Sequence, residues 1–127
     1  MIKELIDLER NSKATCVIIK TEEVQELTHA ITMKANVSDK FLLASDKPPF
    51  ADKIDNKSKL SEICYFVIID IDEISISEQN RYVGLVKDRE INGYYLPDNV
   101  IVIFTVKNRA GLKKVSEDLY RFAVVAF

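Results

Sequence analysis

Glycine is scarce in this sequence, three residues in 127, and none precedes Gly84. A glycine-rich phosphate loop needs backbone amides at close approach to the anion, so none can form ahead of that point. Histidine occurs once, at His29, and cysteine twice, at Cys16 and Cys64. Each cysteine lies in a separate apolar, strand-like run, which reads as two buried thiols in a reducing compartment. No cysteine or carboxylate pattern near His29 makes it a metal ligand. No apolar run approaches the ~18 residues that span a bilayer. The first ten residues, MIKELIDLER, are amphipathic and acidic, unlike a signal peptide, so the expected location is the cytoplasm or a host's cytoplasm. An excess of one charge is also missing. Eighteen Lys and Arg face twenty Asp and Glu, interspersed, for a net charge of −2. Bulk charge therefore points to neither nucleic acid nor an anionic membrane.

What remains is 47% apolar and 30% charged, the balance of one soluble domain spanning 1–127. Ile2, Leu5 and Ile6 share a helical face and predict a short helix over 2–10. Residues 14–20 are apolar and β-branched, hence a strand. Thr21 predicts the N-cap of a helix over 22–33, with Glu22 and Glu23 in its first turn and Val24, Leu27 and Ile31 on one stripe. Residues 41–44 predict a second strand. Residues 46–59, polar with Pro48 and Pro49, predict an exposed loop with a short helix near its end. Residues 63–71 predict a third strand. Ser75 and Glu78 fit a capping box opening a helix to about Arg89, with Tyr82, Val83 and Val86 at helical spacing. Asn92 and Gly93 form a two-residue hairpin signal. Residues 100–106 predict a further strand, 116–120 a turn or short helix, and 122–127 a last strand. Strands this apolar, alternating with helices, predict a three-layer α/β sandwich around a mainly parallel sheet of about five strands.

The run 64–74, CYFVIIDIDEI, carries the clearest chemical signal. A buried parallel strand ending in Asp72 and Glu73 delivers two carboxylates to the edge of a sheet. Such a pair can hold a metal-bound water and polarise it. The plainer alternative is that both are simply solvated there. Asp70 falls inside the apolar run, and a buried carboxylate needs a partner, for which Lys20 or Lys107 on adjacent strand ends would serve.

Residues 66–122 resemble the second half of an AAA+ ATPase core, in particular the MoxR-like branch. The stretch 66–74 resembles the Walker B strand and 77–90 the helix after it. The stretch 91–100, INGYYLPDNV, resembles the small hairpin before the sensor 1 strand, and 100–108 that strand. The stretch 116–122, SEDLYRF, resembles the segment bearing the arginine finger. The first 60 residues match by element order alone. The resemblance implies a P-loop NTPase topology. It implies Asp72 as an outer magnesium ligand, Glu73 as activator of the attacking water, and Arg121 as a finger reaching a neighbouring subunit's nucleotide. Asn92, Gly93 and Tyr94 on the hairpin, with Arg121, become contact residues. A gapless match puts Lys107 at sensor 1, and a one-residue insertion brings in Asn108. Departures are as telling. Asp70 stands where the family has an apolar residue. The first strand leads straight into Lys20, Thr21, Glu22 and Glu23, with carboxylates where phosphate charge would lie, and the helical lid is absent.

The resulting expectation is a degenerate AAA+-like domain without ATPase activity. It would act through protein contacts, with itself or with a complete ATPase. It would hold no cofactor of its own, and magnesium and ATP only where a partner completes the site. A second resemblance competes over 16–27, to the opening of a response-regulator receiver domain. There Asp70 would take the phosphoacceptor position and Thr105 the switch hydroxyl. Yet Lys20 and Thr21 stand where an acidic pair should bind magnesium, and no lysine follows the last strand. A third alternative is a metal-dependent phosphoryl or phosphodiester enzyme using Asp70, Asp72 and Glu73. Sheet order separates the first two. The AAA+ core flanks the first strand with the last strand and the sensor 1 strand, whereas a receiver has the order 2-1-3-4-5.

Overall fold

The computed structural model describes residues 16–28, 30–35, 64–91, 94–96 and 100–127. Seven strands occur among them: β1 (Cys16–Lys20), β2 (Ala30–Lys34), β3 (Cys64–Ile69), β4 (Glu90–Ile91), β5 (Tyr94–Tyr95), β6 (Val100–Val106) and β7 (Ala123–Val125). Five of them form one sheet in the order β2-β3-β6-β1-β7, and every neighbouring pair is parallel. β1 thus lies between β6 and the last strand. This differs from the receiver order 2-1-3-4-5 and corrects that alternative.

The apolar strands are covered on both faces, as their composition requires. Ile18, Phe66, Ile68, Val102 and Phe104 point to one face and meet Tyr82, Leu85, Val86 and Leu119 from the helices. Val17, Ile19, Tyr65, Val67 and Ile103 point to the other, where Val24 and Leu27 pack. Each such aliphatic or aromatic side chain contributes roughly 2 kcal/mol on burial. Tyr82 meets Phe104 edge to face, with ring centroids 5.9 Å apart. The arrangement is a three-layer α/β fold.

The helical layer contains α1 (Ile76–Gln79), α2 (Val83–Lys87) and α3 (Glu117–Tyr120). Ser75 caps α1 by accepting from the Glu78 amide at 3.3 Å, and its hydroxyl donates to the Glu78 carboxylate at 2.7 Å. The helix predicted from 75 to about 89 passes through a 3₁₀ turn, Asn80–Tyr82, and ends at Lys87. Arg89 takes a left-handed conformation, φ 56°, the usual way to leave a helix. Its carbonyl accepts from the Leu96 amide at 2.8 Å and its guanidinium donates to the Val100 carbonyl at 2.8 Å. Those bonds hold the antiparallel β4–β5 hairpin, in which Ile91 pairs with Tyr94. Asn92 and Gly93 lie outside the described residues.

Three expectations are corrected. The helix over 22–33 is instead a 3₁₀ turn, Thr21–Glu26, followed by strand β2. Ile31 fits a helical stripe with Val24 and Leu27, but Ile31 and Met33 also fit a strand's period of two, and the hydrogen-bond ladder to β3, Ile31 opposite Phe66, decides for the strand. Thr21 makes no helix cap. The strand over 63–71 stops at Ile69, because Asp70 is left-handed, φ 59° and ψ 51°, and starts a 3₁₀ turn, Ile71–Glu73. The readings for 2–10, 41–44, 46–59 and His29 lie outside the described residues. No helix among the described residues is long and apolar enough to cross a membrane.

Cys16 is buried as expected, 1% exposed, and its thiol donates to the Phe122 carbonyl at 3.6 Å. Burial pushes the thiol up from 9.0 to about 12. The reactive thiolate is then depleted on the order of a thousandfold at mildly alkaline pH. In the native protein at pH 8 Cys16 should resist iodoacetamide and react promptly once denatured, read by peptide mass spectrometry. Equal rates in the two states would refute this.

Candidate functional site

Because β1, β3 and β6 run parallel, their carboxyl ends open on one edge of the sheet. Each end supplies one member of a closed hydrogen-bond ring. The Asp70 amide donates to Thr105 Oγ1 at 2.9 Å. The Thr21 hydroxyl donates to Asp70 Oδ1 at 2.7 Å. Thr21 and Thr105 hydroxyls lie 2.8 Å apart. A hydroxyl has one proton, and Thr21 uses its own on Asp70, so Thr105 must donate to Thr21. The ring runs from the Asp70 backbone through both threonines to the Asp70 carboxylate. Such cycles reinforce each bond by polarising the next. The left-handed turn at Asp70 brings its carboxylate back over the strand ends, and Asp is among the few residues that adopt it readily.

This overturns the expected ion pair between Asp70 and Lys20 or Lys107. Asp70 is 6% exposed; the Thr21 hydroxyl donates to its carboxylate and Thr105 accepts from its amide. Lys20 instead lies over the Phe127 ring, 5.6 Å from its centroid. Lys107 Nζ pairs with Glu73 Oε1 at 2.7 Å, and Lys34 Nζ stands 3.9 Å from the same carboxylate. Lys107 holds the Glu73 carboxyl below its usual range, chiefly through their hydrogen bond, and is itself held above its own. Glu73 is exposed at the edge, in contact with cations.

Asp72 faces another way. Its Oδ1 is buried without a hydrogen-bond partner. Its Oδ2 lies 2.6 Å from the place a Cβ on Gly111 would occupy. Burial pushes the Asp72 carboxyl up, and the neighbouring Asp70 and Glu73 charges add to the effect. Asp70, Asp72 and Glu73 therefore have three different neighbours. Among the described residues no group of three His, Cys, Asp or Glu side chains converges as a metal site would. Asn108 accepts from the Gly111 amide at 3.2 Å and caps the turn Arg109–Lys114.

Arg121 sits at the end of α3, exposed. A link that the sequence reading missed fixes that corner. Gln79 is fully buried; its amide nitrogen donates to the carbonyls of Ile74 at 3.1 Å and Lys114 at 2.8 Å. Its Oε1 accepts from the Ser116 amide at 2.6 Å, and Ser116 Oγ donates to Asn80 Oδ1. The carboxylate turn and the Arg121 helix are thereby clamped together. The available signal was an amide directly after a capping box, on the inward side of an amphipathic helix. On the hairpin, Tyr95 is 67% exposed, while Tyr94 lies in β5.

Chemically, the edge combines a closed hydroxyl–carboxylate ring with carboxylates held apart by lysines and packing. No known protein-family model matches the chain, and a search of curated proteins finds no match either.

Proposed function

We propose that this chain is an AAA+-like α/β domain without ATPase activity, working through protein contacts with copies of itself or with a complete ATPase. The observation that carries the reading is the Thr21–Asp70–Thr105 ring. It closes the carboxyl end of β1, where a nucleotide hydrolase opens a loop of backbone amides. The hydroxyl of Thr21, which could otherwise approach a metal, is committed to Asp70. β1 passes directly into a turn carrying Glu22 and Glu23. The sheet order, with β1 between β7 and β6, supports descent from such a core. So does the position of Asp72 and Glu73 just beyond β3. Arg121, exposed and clamped through Gln79, is available to a partner. A reducing cytoplasm, the cell's own or a host's, suits the buried free thiol of Cys16.

Titration calorimetry with ATP and magnesium tests the proposal. No binding heat is expected with nucleotide up to about 1 mM. A dissociation constant tighter than about 100 μM would sink the reading. Magnesium binding without nucleotide would favour the phosphoryl-enzyme alternative instead.

A further inference from the structure

We infer that the carboxyl edge of the sheet is the docking face for a second copy of this chain, the acidic turn Thr21–Glu26 of each copy lying against the basic turn Arg109–Lys114 of the other. The inference names a surface for the self-assembly proposed above and rests on that reading. β1 and β6 are neighbours, and Lys20 is paired with Val106, so the two turns leave one edge from adjoining positions. One turn carries Glu22, Glu23 and Glu26 and no cation. The other carries Arg109, Lys113 and Lys114 and no acid. They diverge across the sheet. Val24 of the acidic turn packs on the Val17 and Ile19 face, and Leu112 of the basic turn on the Ile18 and Phe104 face.

The turn Thr21–Glu26 is therefore negative, and the turn Arg109–Lys114 is positive, with the Asp72 carboxylate tucked against Gly111 beneath it. Among the described residues no salt bridge joins the two turns. Arg109 stacks on the Phe127 ring, 5.5 Å from its centroid, on which Lys20 also lies. Glu26, and after it Glu22, push the Glu23 carboxyl up, with Lys20 opposing them. Charges separated by the thickness of a sheet cannot neutralise one another within one copy. A two-fold axis in the sheet plane and across the strands exchanges the faces. It sets acidic turn over basic turn twice, which is the self-complementarity a symmetric dimer needs.

Sedimentation equilibrium of the full chain, at about 0.05 M and about 0.5 M salt, tests this. The expected result is a dimer at low salt that weakens at high salt. The pairs Glu22→Lys with Glu26→Lys, and Lys113→Glu with Lys114→Glu, should each weaken association by at least about tenfold. Mixing the two variants should restore it, since every turn then meets its opposite. Circular dichroism checks that each variant folds, and Gln at the same positions replaces any that does not. A monomer at low salt, association indifferent to both reversals, or loss on reversing the basic turn alone would each overturn the inference. The last outcome would mean that the basic turn meets an acidic surface of the second copy other than the turn Thr21–Glu26. Nucleotide binding in calorimetry would instead strike the loss of ATPase activity and would not bear on sedimentation.

Discussion

Asp70→Ala is expected to cost about 3 kcal/mol of unfolding free energy, a large part of the 5–15 kcal/mol that holds a domain. Two losses add. The Thr21 hydroxyl gives up its bond to a carboxylate, worth about 1.5–3 kcal/mol. The replacement must also hold φ 59° at that position, where alanine lacks the local hydrogen bonding that lets Asp tolerate it, a further cost of about 1 kcal/mol. Asp70→Asn keeps a side-chain oxygen for Thr21 and tolerates the left-handed turn, so it should cost only about 1 kcal/mol. Thr105→Val leaves the Asp70 amide without its acceptor and should cost about 1–3 kcal/mol. Because all three residues belong to one ring, losses in the double variant Thr21→Val with Asp70→Ala should fall short of their sum. Urea unfolding at neutral pH measures each. Asp70→Ala within about 0.5 kcal/mol of the parent would refute the ring as a structural element.

The ring also marks how far the sequence could be read. The apolar runs at 16–20, 64–69 and 100–106 announced buried strands because they are short and rich in β-branched and aromatic residues. A sheet covered on both faces followed from that. Asp70 and Thr105 were visible as polar interruptions of apolar runs, and a buried carboxylate had to find a partner. The partner itself was not legible. Charge arithmetic favoured a lysine, whereas the left-handed turn at Asp70 aims its carboxylate at Thr21. That is a backbone property no side-chain pattern encodes. β2 was misread because Val24, Leu27 and Ile31 fit a helical stripe, and only pairing with β3, more than thirty residues away, selects the strand. Gln79 was missed because its three partners, Ile74, Lys114 and Ser116, are mostly distant in the chain.

The second large effect is expected at Gly111. A Cβ there would lie 2.6 Å from Asp72 Oδ2 and 3.1 Å from the Val106 Cβ. The part-buried carboxylate moves aside only at a cost, and Val106, fully buried in β6, cannot move. Gly111→Ala should therefore cost about 1–3 kcal/mol by overpacking. Asp72→Ala should recover part of that loss in the double variant, since it removes the nearer clash. Asp72→Asn, equally large, should recover none. Asp72→Asn alone has a separate signature. Burial raises the Asp72 carboxyl above its ordinary value, so the folded state disfavours ionisation. Stability from this group is then fully present below the unfolded value and lost as pH rises through the folded one. The asparagine variant should be more stable than the parent at neutral pH, with the advantage vanishing in acid. Denaturant midpoints across that range decide both points. Gly111→Ala as stable as the parent would show that the 109–114 turn moves freely off Asp72. An Asp72→Asn advantage that persisted in acid would mean that packing, and not the buried charge, sets the energy of this corner.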